Sequence, residues 1–143
     1  MTAPVVNRFA ALHVGQRASA VRTVTDTDVV MFAAVTGDLN PVHVDAEHAA
    51  ASRFGGRIAH GMFAGGLVSA VMASQLPGPG AIYLSQSLRF VRPVRIGDVI
   101  TVRVEVLERF ETRRRIRVAT VCTNQRDETV VDGEAMLMIP TDA

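Results

Sequence analysis

The run Gly61-Met62-Phe63-Ala64-Gly65-Gly66-Leu67-Val68-Ser69-Ala70-Val71-Met72-Ala73-Ser74-Gln75-Leu76 is apolar or small on all sides and leads into Pro77-Gly78-Pro79-Gly80. A helix with no polar face has nothing to present to water and must be buried, and the Pro-Gly run ends it. Beyond it the periodicity changes. Ile82–Val91, Asp98–Phe110, Arg114–Asn124 and Thr129–Ile139 carry strand signals. In the second of these, Ile100, Val102, Val104 and Val106 alternate with Thr101, Arg103 and Glu105, so one face meets a core and the other meets water. The polar links 108–113 and 125–128 are of hairpin length, which makes the strands antiparallel. Arg17–Thr25 is expected to add an edge strand, and Gly133 predicts a bulge or a close backbone approach. A buried helix followed by a meander of long strands is an α+β plan in which the sheet wraps the helix.

Before the central helix, Thr25-Asp26-Thr27-Asp28 offers a cap with an acidic residue at the third helical position, and a helix is expected from about Thr27 to Thr36, stopped by Gly37. Asp45 caps a second helix, from Ala46 to about Arg53, ended by Gly55-Gly56. Between them stands Gly37-Asp38-Leu39-Asn40-Pro41-Val42-His43-Val44-Asp45. Pro41 has no N–H and pushes Asn40 into an extended conformation, so this segment is expected to be a non-helical turn that aims Asp38, Asn40 and His43 inward together. An acid and a base aimed at one spot suit proton transfer on a small substrate.

Composition narrows the class. A chain of 143 residues is one domain by length and buries roughly two thirds of its unfolded surface. The single cysteine, Cys122, excludes an internal disulfide and thiolate zinc sites, so a reducing compartment is the default. Residues 1–8 lack the basic start and apolar run of a signal peptide, and the longest apolar run, Val29 to Val35, falls far short of the roughly 18 to 20 residues that span a bilayer. A soluble, cytoplasmic protein is expected. A net charge of +1 argues against a dedicated nucleic-acid binder.

Each candidate residue also has a plainer reading. Asp38 alone would be a turn residue bonded to its own backbone. His43, His48 and His60 with Asp45 and Glu47 raise a metal, but no helical HxxxH or HExxH spacing exists. His60 reads equally as a residue at the helix start and as a catalytic one; His48 belongs on the surface, and His13 carries no signal. Ser69 with His43 and Asp38 has the ingredients of a nucleophilic triad, yet a mid-helix serine lacks a strained elbow and is more often a packing residue. Cys122 alternates with Ile116 and Val118 and reads as a buried hydrophobe. Met62, Met72, Met136 and Met138 are expected in the core or lining a tunnel.

The run Gly37 to Asp45, then Phe54-Gly55-Gly56-Arg57-Ile58-Ala59-His60-Gly61-Met62, then Leu76-Pro77-Gly78-Pro79-Gly80-Ala81-Ile82-Tyr83, resembles the hydratase 2 motif of MaoC-like (R)-specific enoyl-CoA hydratases. Phe90-Val91-Arg92-Pro93-Val94-Arg95-Ile96-Gly97-Asp98 is similar to a further segment of that family, and the likeness runs from about residue 15 to 139. It implies a single hot-dog domain over residues 1–143, forming a homodimer with an acyl tunnel near the subunit interface. It also implies Asp38 and His43 as the catalytic pair, Gly61 N–H as the oxyanion-hole donor, and Asn40, His60 and Ser69 as supporting groups. The reaction implied is reversible hydration of trans-2-enoyl-CoA to (R)-3-hydroxyacyl-CoA, with no metal or other cofactor, no nucleic acid and no membrane insertion. Which of Asp38 and His43 is acid and which base stays open. So do two neighbouring activities, dehydration of a carrier-protein-linked 3-hydroxyacyl chain and acyl-CoA thioester hydrolysis, and a third reading, a non-catalytic acyl-CoA-binding module. Arg113, Arg114, Arg115 and Arg117 read as a solvated strand edge, with binding of coenzyme A phosphates as the lesser reading.

Overall fold

The computed structural model describes residues 8–141, so the expectation about an export signal at residues 1–8 lies almost wholly outside it. Five helices and six strands follow in the order α1 (Arg8–Ala11), β1 (Arg17–Thr23), α2 (Asp26–Thr36), α3 (Pro41–Val44), α4 (Ala46–Ala51), α5 (Gly61–Ser74), β2 (Ile82–Gln86), β3 (Arg89–Phe90), β4 (Val99–Phe110), β5 (Arg115–Thr123) and β6 (Thr129–Met138).

The sheet is antiparallel, ordered β1-β4-β5-β6-β2, with β3 also on β6. The period-two pattern of β4 holds: Ile100, Val102, Val104 and Val106 are buried, and Arg103 faces out. These side chains share one core with Val68, Val71 and Met72 of α5 and Ile116, Val118 and Cys122 of β5. Each such aliphatic side chain, taken fully out of water, contributes about 1.5–3 kcal/mol. The apolar circumference of α5 predicts burial all round, but only one face is buried: Met62, Gly66, Ala70 and Ala73 are exposed.

Three further expectations are corrected. The segment around Pro41 does form one helical turn, because proline is excluded from helix interiors but not from the first position, where its missing N–H would have had no partner. The strand expected over 82–91 is split into β2 and β3: between them the Ser87 carbonyl lies where a Cβ at residue 133 would stand, and Gly133 permits this approach, while the register shift falls earlier, between Tyr83 and Ser85. The arginine run is no strand edge. β5 sits inside the sheet, where Arg117 answers carboxylates on both neighbours, Glu108 at 3.3 Å and Glu134 at 2.8 Å. The edges are β1 and the β2–β3 pair.

Candidate active site

The capping sequence before α2 fixes the start of the helix that brings Phe32 against His60. Thr25 accepts from the Asp28 N–H at 3.1 Å, and the Asp28 carboxylate accepts from the Thr25 N–H at 2.9 Å, a reciprocal capping box. Burial pushes the Asp28 carboxyl up, but the Thr25 N–H and the Arg22 guanidinium, 2.6 Å away, outweigh it and hold the group below the usual carboxylate range. At the other end Gly37, at φ 78°, donates to the Ala33 carbonyl and stops the helix. The chain then turns through Asp38, whose Oδ1 accepts from the Asn40 N–H at 3.2 Å. The plain turn role is therefore real, and it occupies one oxygen while leaving the other for chemistry. Asn40 does not aim inward with Asp38 and His43. It is exposed and caps α3 through the Val42 N–H at 3.4 Å.

His43 is buried, and its Nδ1–H donates to the Ile58 carbonyl at 2.8 Å. A carbonyl only accepts, so this bond sets the tautomer and leaves Nε2 as a lone-pair acceptor on the neutral ring. His60 stacks on it, ring centres 3.9 Å apart, and is flanked on its other side by Phe32 at 4.7 Å. His60 Nε2–H donates to the Asp38 backbone carbonyl at 3.0 Å, and its buried Nδ1 has no partner among the described residues. Two residues that sequence reasoning passed over tie this down. Arg57 donates to the His43 carbonyl at 2.6 Å while pairing with Asp26 at 2.6 Å, and the Ala59 N–H donates to the Val94 carbonyl at 2.7 Å. Both join segments far apart in sequence, and no local spacing signals them.

Gly61 opens α5, a helix whose cap residue, His60, spends its side chain elsewhere. The Gly61 N–H is thus unpartnered among the described residues and stands at the positive end of the helix dipole. A Cβ here would come within 2.8 Å of the Phe90 ring. Asp38, His43, His60 and Gly61 line one pocket of about 490 Å³, closed by Phe54, Met62, Phe90, Val91 and Val131. Ser69, two turns along α5, is half-buried and does not line that pocket. Met62 is exposed at its mouth and Met72 lies in the core.

Two acceptors and one fixed N–H donor around a half-apolar pocket are equipped to hold a water, move its proton and polarise a carbonyl. Asp38, His43 and His60 also offer three ligand atoms within 4.8 Å of one another, the set from which a transition-metal site would be made.

The MaoC like domain family matches residues 9–129, and the chain belongs to that family. It is 49% identical over 132 residues to the 3-hydroxybutyryl-CoA dehydratase of Methylorubrum extorquens, covering 92% of this chain and 83% of that protein. It is 41% identical over 136 residues to the (R)-specific enoyl-CoA hydratase of Rhodospirillum rubrum, covering 95% and 94%. Among solved structures it is similar to the unliganded R-hydratase PhaJ1 of Pseudomonas aeruginosa, with a TM-score of 0.89, 52% identity and coverage of 92% and 84%. The α+β arrangement is the hot-dog fold, a helix wrapped by an antiparallel sheet.

Proposed function

We propose that this chain catalyses the reversible hydration of trans-2-enoyl-CoA to (R)-3-hydroxyacyl-CoA. The observation that carries this reading is the pairing of the Asp38 carboxylate and His43 Nε2 in the same pocket as the free Gly61 N–H. The relatives named hydratase and dehydratase support the reaction, and their R designation supports its stereochemistry.

The chemistry follows from who donates and who accepts. An ionised Asp38 and a neutral His43 are both acceptors, so a water bridging them gives each one hydrogen and turns a lone pair toward C3 of the enoyl chain. The Gly61 N–H takes the thioester oxygen. As the C3–O bond forms, one acceptor takes the water's proton and electron density moves through C2 onto that oxygen. The Gly61 N–H and the helix dipole hold this enolate, a kind of contact worth about 2.7–4 kcal/mol. The Asp38–His43 pair then returns the proton to C2, and the double bond becomes a C–H and a C–O bond. No electrons leave the substrate, so the reaction needs no redox cofactor, and the pair with Gly61 supplies its needs without a metal.

A homodimer in the cytoplasm fits the same reading. Ile82, Tyr83 and Leu84 of edge strand β2 are each about two-fifths exposed, and Asp38 is open to solvent, so a second copy would cover apolar surface and close the site. No helix among the described residues is long and apolar enough to cross a membrane. Crotonyl-CoA tests the activity. Loss of the enoyl absorbance without release of thiol is expected. Thiol appearing as fast as the enoyl signal fades would make the protein a thioesterase, and turnover of only an acyl-carrier-protein substrate would make it a carrier-protein dehydratase.

A further inference from the structure

The mouth of the active-site pocket carries positive charge that no ion pair consumes. Arg53 lines the pocket, is exposed, and holds its guanidinium 5.6 Å over the Phe54 ring. Arg95, also exposed, places Nη1 3.9 Å from where a Cβ at Gly56 would stand, over the turn that follows Phe54. Neither guanidinium meets a carboxylate among the described residues.

Several carboxylates near the mouth are engaged elsewhere. Asp26 pairs with Arg57, and Asp45 caps α4 through the His48 N–H. Asp98 accepts from the Arg95 backbone N–H and from Gln125, and Glu128 answers Arg92 and Arg126. Arg92, on the same wall, is thereby neutralised, whereas Arg53 and Arg95 are not. The segments that carry them are held in place: the Ile58–Arg95 bridge and the Ala59–Val94 hydrogen bond lock the two lips of the mouth together. Both guanidinium charges thus stand without a carboxylate beside a cavity whose floor is a proton-transfer site.

We propose that Arg53 and Arg95 bind the phosphate groups of the substrate's thioester carrier and so select carried acyl thioesters over free ones. This rests on the hydratase reading above. Guanidinium is always charged and presents a planar fork that matches phosphate oxygens, while the uncharged acyl end passes between the lips toward Asp38 and His43. The phosphate has two sources: the end of the pantetheine arm, common to coenzyme A and acyl carrier protein, and the nucleotide part, found in coenzyme A alone.

Kinetics of the R53A/R95A double variant on crotonyl-CoA and on crotonyl-pantetheine, which has no phosphate, decide the matter. The ratio of kcat/KM for the two substrates is expected to fall about tenfold, through KM, with kcat on crotonyl-CoA within about twofold. The R53K/R95K variant should recover a large part of the ratio, and added salt should lower the wild-type ratio but leave the alanine variant's nearly flat. An unchanged ratio, or equal losses on both substrates, overturns the proposal while leaving the hydratase reading intact. A wild-type protein that hydrates neither substrate overturns both. Crotonyl-acyl carrier protein separates the sources: an equal loss there assigns the pantetheine phosphate, and a loss confined to crotonyl-CoA assigns the nucleotide phosphates.

Discussion

The imidazoles of His43 and His60 lie face to face, 3.9 Å between centres and 29° from parallel, and each ring is fixed by a backbone carbonyl. His43 is held by Ile58, and His60 holds Asp38, so the stack carries the geometry of one catalytic residue to the other. His60 is a positioning residue. His60→Phe keeps a ring between His43 and Phe32 but loses the donor to Asp38, and kcat is expected to fall about tenfold with KM little changed. Unchanged kcat would show that the Asp38 turn holds itself.

Removing a reacting group should cost more. Asp38→Asn and His43→Gln each replace an acceptor by an amide of similar shape, and a loss of about a hundredfold or more in kcat is expected for each. Asp38 is exposed, so its variant should melt close to the wild type. Near-normal turnover at saturating substrate removes that residue from the chemistry.

The two glycines of α5 separate site from scaffold. A Cβ at Gly61 meets the half-exposed Phe90 ring at 2.8 Å and stands where the thioester oxygen must approach. Gly61→Ala should therefore depress kcat/KM far more than melting temperature. Gly66 is exposed with open space around its Cα, contrary to the packing role that its mid-helix position suggests. Gly66→Ala is expected to stabilise the chain by about 0.5–1 kcal/mol through helix propensity. A loss instead would indicate a second copy against that face.

Stability should respond to acid through Asp28. Its carboxyl is held below the ordinary value near 3.8, so the contribution is complete above that pH and is lost as pH falls through the lower folded value. Asp28→Asn should lower the melting temperature by about 3 °C at pH 7, with the difference closing as the pH falls below 3.8. A difference independent of pH would trace to the cap's shape rather than its charge.

Cys122 is fully buried, and burial pushes its thiol up to about 12. A thiol reagent at pH 8 should leave the native protein unmodified for hours and label it completely in guanidinium. Rapid native labelling would place Cys122 outside the core.

What the residue order determined alone is what short-range physics encodes. The period-two run of β4, the Thr25–Asp28 cap and the stop at Gly37 all act within a few residues, and each is found where the pattern puts it. The apolar run of α5 marks a helix, but which of its faces is covered was left to packing. Asp38 and His43 were legible as a pair because only four residues of a capped turn separate them. Tertiary structure decided the rest. That Asn40 serves α3 and not the pocket, that the strand expected over 82–91 breaks where Ser87 meets Gly133, and that Arg117 is flanked on both sides depend on which element lies beside which. His43's tautomer depends on a carbonyl fifteen residues away, and the open charges of Arg53 and Arg95 depend on Asp26 and Glu128 having found other partners. Local periodicity reports the face a side chain occupies, whereas its hydrogen-bond partner is set by long-range packing.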